Sequence, residues 1–100
     1  MTQTGQKSGL TPEEAEIIAV EALGFLAREP EHLGRFLAVT GIGPHAIRDV
    51  AGEPGFLAGV LEFLMSDETL LLAFTENARL RPTMIAAARY RLAGDPADHA

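Results

Sequence analysis

The sequence predicts an all-α fold: a compact orthogonal bundle of five or six short helices. Two observations carry that expectation. Apolar residues return every three or four positions from Ile18 to Ala88, which lines them along one face of successive helices, and no stretch alternates as a half-buried strand does. Proline, glycine and Ser-Asp punctuation then cuts the chain into segments of helical length, at Pro30, Gly41-Ile42-Gly43-Pro44, Gly52-Glu53-Pro54, Ser66-Asp67 and Pro82. With 100 residues, 47% of them hydrophobic, the chain supports one domain with one core.

Each element has its own warrant. Residues 1–10 are polar and read as a disordered tail. Thr11-Pro12-Glu13-Glu14 opens the first helix: Thr11 caps, Pro12 suits the first helical position and Glu14 completes a capping box. This helix runs to about Arg28 with Ile18, Ala22, Phe25 and Leu26 on one stripe. Gly24 inside it costs about 1 kcal/mol relative to alanine, so a neighbouring backbone is expected to approach there. Pro30 starts the second helix, with Leu33, Phe36, Leu37 and Thr40 on one face, and Gly41 stops it. Pro44 opens a short third helix with Ile47, Val50 and Ala51 inward. The fourth, about Pro54–Met65, carries a wide stripe of Phe56, Leu57, Val60, Leu61, Phe63 and Leu64.

Ser66-Asp67 breaks and caps the chain before a fifth helix that reaches about Arg79. Leu70-Leu71-Leu72-Ala73-Phe74 is apolar on nearly every side, so this helix is expected at the centre of the bundle or at a subunit interface. The last helix, about Pro82–Leu92, points Met84, Ile85 and Ala88 inward. The domain thus covers 11–93, and residues 94–100 read as a frayed tail.

Shifting the chain by 38 positions lays one half over the other. Leu23, Phe25 and Leu26 fall on Leu61, Phe63 and Leu64, Leu33 and Phe36 on Leu71 and Phe74, and Pro44 and Ile47 on Pro82 and Ile85, while Glu29 meets Asp67. That order would make the fold two related three-helix units. Amphipathic helices in a Leu- and Phe-rich chain also match by accident, so the shift is an expectation for the structure to decide.

Composition narrows the chemistry. There are no cysteines, hence no disulfide framework and no Cys-based zinc site; this fits a cytoplasmic protein. The polar start argues against a secretory signal, and the apolar runs fall well short of the ~20 residues of a membrane span. His32, His45 and His99 lie on separate segments without metal-ligand spacing. Asp67-Glu68 beside Ser66 reads as a helix start, and neither a nucleophile constellation nor a Walker-type loop is present. The expectation is no enzyme, no cofactor and no metal.

Two features invite an anion. Gly41, Gly43 and Pro44 form a turn that resembles the hairpin of helix-hairpin-helix DNA-binding domains, whose backbone contacts a phosphate. The match is partial: Ile47 stands where that family has a small residue, and the flanks offer only His45 and Arg48 against Asp49 and Glu53. A net charge of −6 opposes phosphate neutralisation, and a C-cap glycine before a proline-initiated helix explains the same residues structurally. Arg79, Arg81, Arg89 and Arg91 hold half of the eight basic residues. Arg79 at the end of the fifth helix, and Arg89 and Arg91 at the end of the last, complement the helix dipole, with added pairing expected to the acidic first helix. Used functionally, their planar forks would hold an acidic partner or a phosphate.

The runs Phe25-Leu-Ala-Arg-Glu-Pro, Leu33-Gly-Arg-Phe-Leu-Ala-Val-Thr-Gly-Ile-Gly-Pro, Phe56-Leu-Ala-Gly-Val-Leu-Glu-Phe-Leu and Asp67-Glu-Thr-Leu-Leu-Leu-Ala-Phe resemble a family of short bacterial proteins, the domain of unknown function 3572. The resemblance covers about residues 11–80 and weakens over the arginine-rich last helix. It implies a single-domain bacterial cytosolic protein and brings no catalytic or binding residues with it. The leading functional expectation is a non-enzymatic helical module that acts through a protein partner or as a homo-oligomer, because the apolar helix surface exceeds what one small core uses. The alternative is a nucleic-acid-associated module using the Gly41–Pro44 turn.

Overall fold

The computed structural model describes residues 10–93. The tails expected over 1–10 and 94–100 lie outside that range except for Leu10, which packs against the core. The order is α1 (Pro12–Ala27), α2 (Pro30–Thr40), a 3₁₀ turn (Pro44–Ala46) running into α3 (Ile47–Val50), α4 (Pro54–Met65), α5 (Glu68–Ala78) and α6 (Pro82–Ala93). No strand occurs among the described residues.

The ends of these helices follow from their sequence. Glu14 N–H donates to Thr11 Oγ1 (3.1 Å) and Thr11 N–H to Glu14 Oε1 (2.9 Å), closing the capping box of α1. Pro30, Pro54 and Pro82 take first helical positions, where the missing N–H is no loss. Helix α5 instead uses Asp67, whose Oδ1 accepts the Leu70 N–H at 3.1 Å. Helices α2 and α5 both end on a left-handed residue, Gly41 (φ 76°) and Arg79 (φ 60°).

The centre is made by α1, α4 and α6, which pack most extensively on one another. Helix α1 brings Ala15, Ala19, Ala22 and Leu26, α4 brings Leu57, Val60, Leu61 and Leu64, and α6 brings Ile85 and Ala88; all are wholly buried. Alanine on two of the three helices lets the backbones approach while α4 supplies the bulk, since the side chains at the contact set the interaxial distance. Helix α2 lies on α1 and reaches α4 through rings, Phe36 meeting Phe56 and Phe63 edge-on at 5.7 and 5.4 Å.

Four expectations are corrected. Helix α5 is not central: Leu70 and Phe74 face the core, but Leu72 and Ala73 are exposed. Ile47, Val50 and Ala51 are only half-buried, because a helix this short cannot turn a full face inward. Thr40 points outward, its hydroxyl donating to the Leu37 carbonyl and accepting from the Ile42 N–H. Gly24 meets no backbone; a Cβ built there would have nothing within 4 Å.

The 38-residue shift is written into the helix boundaries. Helices α1 and α4 end at Ala27 and Met65, α2 and α5 span Pro30–Thr40 and Glu68–Ala78, and the next segments open at Pro44 and Pro82. The same shift pairs the two left-handed caps and the two buried rings, Phe36 (0% exposed) and Phe74 (2%). The contacts cross over as well. Phe25 meets Phe74 at 5.4 Å, and their counterparts Phe63 and Phe36 meet at 5.4 Å. Reciprocal contact of this kind is what a two-fold arrangement of like units produces.

Candidate functional site

The residues singled out in the sequence do not converge. Arg79 and Arg81 precede α6, whereas Arg89 and Arg91 lie near its far end, so Arg81 and Arg91 are ~15 Å apart along the axis. Arg89 donates to Glu62 of α4 at 3.1 Å, and Arg91 Nε donates to the Leu10 carbonyl at 2.8 Å. Neither pairs with the acidic start of α1, which corrects the pairing expected from the sequence. Arg79 and Arg81 form no ion pair with a described residue. At the first corner Gly41 supplies the left-handed cap, and a Cβ on Gly43 would stand 3.2 Å from the His45 ring. Pro44 opens the 3₁₀ turn.

What the structure does assemble is a pair of clefts. The first, about 440 Å³, lies between α1 and α5 and is lined by Glu21, Gly24, Phe25, Arg28, Phe74, Asn77 and Ala78. The second, about 310 Å³, lies between α2 and α4 and is lined by Phe36, Val39, Thr40, Gly59, Glu62, Phe63 and Ser66. Adding 38 to Glu21, Gly24, Phe25 and Arg28 gives Gly59, Glu62, Phe63 and Ser66, and subtracting 38 from Phe74, Asn77 and Ala78 gives Phe36, Val39 and Thr40. Every lining position has its counterpart. The scaffold is shared, and the side chains have diverged.

The divergence is chemical. Around the ring pair of the first cleft stand Glu21, Arg28 and Asn77, and no hydrogen bond or ion pair joins their side chains to a described residue. The second cleft carries Gly59, Ser66 and Val39 at those positions, and Val39 is 74% exposed. It continues into a hollow lined by Arg35, Ala38, Val39, Phe63, Ser66 and Asp67. Its rim charges are already matched. Glu62 is paired with Arg89, and Asp67 with Arg35 at 3.1 Å, while Arg35 also lies over the Phe63 ring, 5.6 Å from its centroid. The Leu70 backbone N–H first, and the Arg35 guanidinium second, hold the Asp67 carboxyl below the usual carboxylate range.

Each cleft also contains one mid-helix glycine and one glutamate, three residues apart on the same helix. The order is Glu21-Gly24 on α1 and Gly59-Glu62 on α4. Nothing lies within 4 Å of a Cβ built on either glycine. Sequence reasoning missed both clefts. The interchange of Glu and Gly under the 38-residue shift was the available signal, but spacing alone does not say that two helices leave a gap over those positions.

No group of three or more His, Cys, Asp or Glu among the described residues is placed to hold a metal ion, and no helix is long and apolar enough to cross a membrane. The family model described as Protein of unknown function (DUF3572) matches residues 12–95, and the chain belongs to that family. The match extends through α6, further than the resemblance read from the sequence. No curated protein and no solved structure matches the chain.

Proposed function

We propose that this protein is a non-enzymatic helical module that self-associates through its α2–α4 face. The observation that carries the reading is a knob beside a hole. Val39 is the most exposed large hydrophobic residue described, and it stands on the edge of the cleft formed by Phe36, Gly59 and Phe63. A protruding apolar side chain next to an apolar recess on one surface is self-complementary, as a two-fold homodimer requires. In the pairing, Val39 of each copy would enter the cleft of the other. The rim supports the same occupant: it presents Arg35, Arg89, Glu62 and Asp67 in two neutral pairs, so a second copy meets an exchangeable match for each charge. The net charge of −6 weakens association at low ionic strength and matters less as salt screens it.

Sedimentation equilibrium across about 1 to 100 μM, a range that spans common transient affinities, tests the proposal. A mass that rises to that of two chains is expected, with tighter association at higher salt. A single-chain mass throughout would remove self-association.

A further inference from the structure

We infer that the α1–α5 cleft is a second binding seat, distinct from the self-association face, and that it takes the carboxyl-terminal end of a peptide whose last side chain is apolar. Gly24 and Phe25 lie three and four residues after Glu21, and Arg28 lies four and three residues after them, so the four form a single stripe along α1. Asn77, Ala78 and Phe74 of α5 wall the other side. The stripe is a track with a different chemistry at each point.

Arg28, at the end of α1, offers a planar fork with no ion-pair partner among the described residues, which suits a terminal carboxylate. The partly exposed Phe25 ring, backed by Phe74 at 5.4 Å, gives an apolar side chain a flat surface. Asn77 both donates and accepts, as a peptide unit does in return. Glu21 accepts an N–H further along the chain. Seven residues of helix put Glu21 and Arg28 ~10 Å apart, about the reach of three extended residues. A lone amino acid is too short to touch both.

Gly24 is the strongest sign that the track is kept clear. A glycine inside a helix is costly relative to alanine, and here no neighbour needs the space. Its counterpart, Glu62, shows that a large side chain fits this position of the scaffold. What Gly24 leaves is room for a backbone to lie on α1. Capture of a chain end by fixed polar groups is a known way to read peptides.

Titration of the ¹⁵N-labelled full chain with N-acetyl-Gly-Gly-Phe, its carboxyl-terminal amide and N-acetylphenylalanine tests this. The free acid peptide is expected to shift the amide signals of Gly24, Phe25, Asn77 and Ala78, and to bind at least about tenfold tighter than either of the others. Arg28→Ser, which installs the residue of the other cleft, should make acid and amide equal. Gly24→Leu should block binding while raising the melting temperature, which separates occlusion from unfolding. Equal binding of all three probes, undiminished binding to Gly24→Leu, shifts confined to the Phe36–Phe63 cleft, or no shift at all would each overturn the inference.

Discussion

From Pro44 the first half of the chain has eight residues before Gly52, whereas from Pro82 the second half has twelve before Gly94. Up to those prolines the halves run in step, helix end for helix end. After them they part. The first half makes a 3₁₀ turn and a four-residue helix in which nothing is buried, while the second makes α6, with Ile85 and Ala88 wholly buried against α1 and α4. Interval length decides the outcome, because a helix needs several turns before tertiary packing of one face can offset its cost. The one core thus contains a single third helix, α6. The corner at Gly41 was left outside.

Where the halves agree, matched substitutions should cost the same. Phe36→Ala and Phe74→Ala are each expected to lose about 3–5 kcal/mol of unfolding free energy, measured by urea denaturation. A twofold difference between them would break the equivalence. Where the halves part, the costs should part too. Ile85→Ala should lose about 2–5 kcal/mol, and its half-exposed counterpart Ile47→Ala less than about 1 kcal/mol.

The two left-handed caps should respond with opposite signs. Gly41→Ala places a Cβ in a left-handed conformation and should cost about 1 kcal/mol. Arg79→Gly removes the same penalty and should raise the thermal midpoint in a circular dichroism melt. The smallest contrast concerns Glu29 and Asp67, the residues before α2 and α5. Asp67 caps α5 through its side chain, and Glu29 makes no such bond. Because the folded protein holds the Asp67 carboxyl below its usual range, the cap's contribution is present in full above the ordinary carboxylate range and is lost as pH falls through and below it. Asp67→Asn should flatten the acid limb of the stability profile, measured by urea denaturation across pH.

Much of the fold was legible because its signals are local. Thr11 with Glu14, Asp67, Gly41 and the five element-opening prolines mark helix ends by groups within four residues of themselves. Burial was less legible. Leu72 reads like Leu70 in a string of five apolar residues, yet one is exposed and the other buried, since only neighbouring helices decide which side of α5 is covered. The clefts were the least legible feature. Gly24 signalled that something unusual occurs on α1, but the same residue serves close packing and open space alike, and only the position of α5 distinguishes them.

The proposed self-association would turn on one pair of equivalent positions in the two clefts, Val39 in one and Asn77 in the other. The most direct measurement is sedimentation equilibrium of Val39→Asn beside Asn77→Val, with the wild type as reference. The wild type and Asn77→Val should both reach the mass of two chains, while Val39→Asn stays at one with its helical circular dichroism unchanged. A monomeric wild type, or a Val39→Asn protein that still pairs, would contradict it.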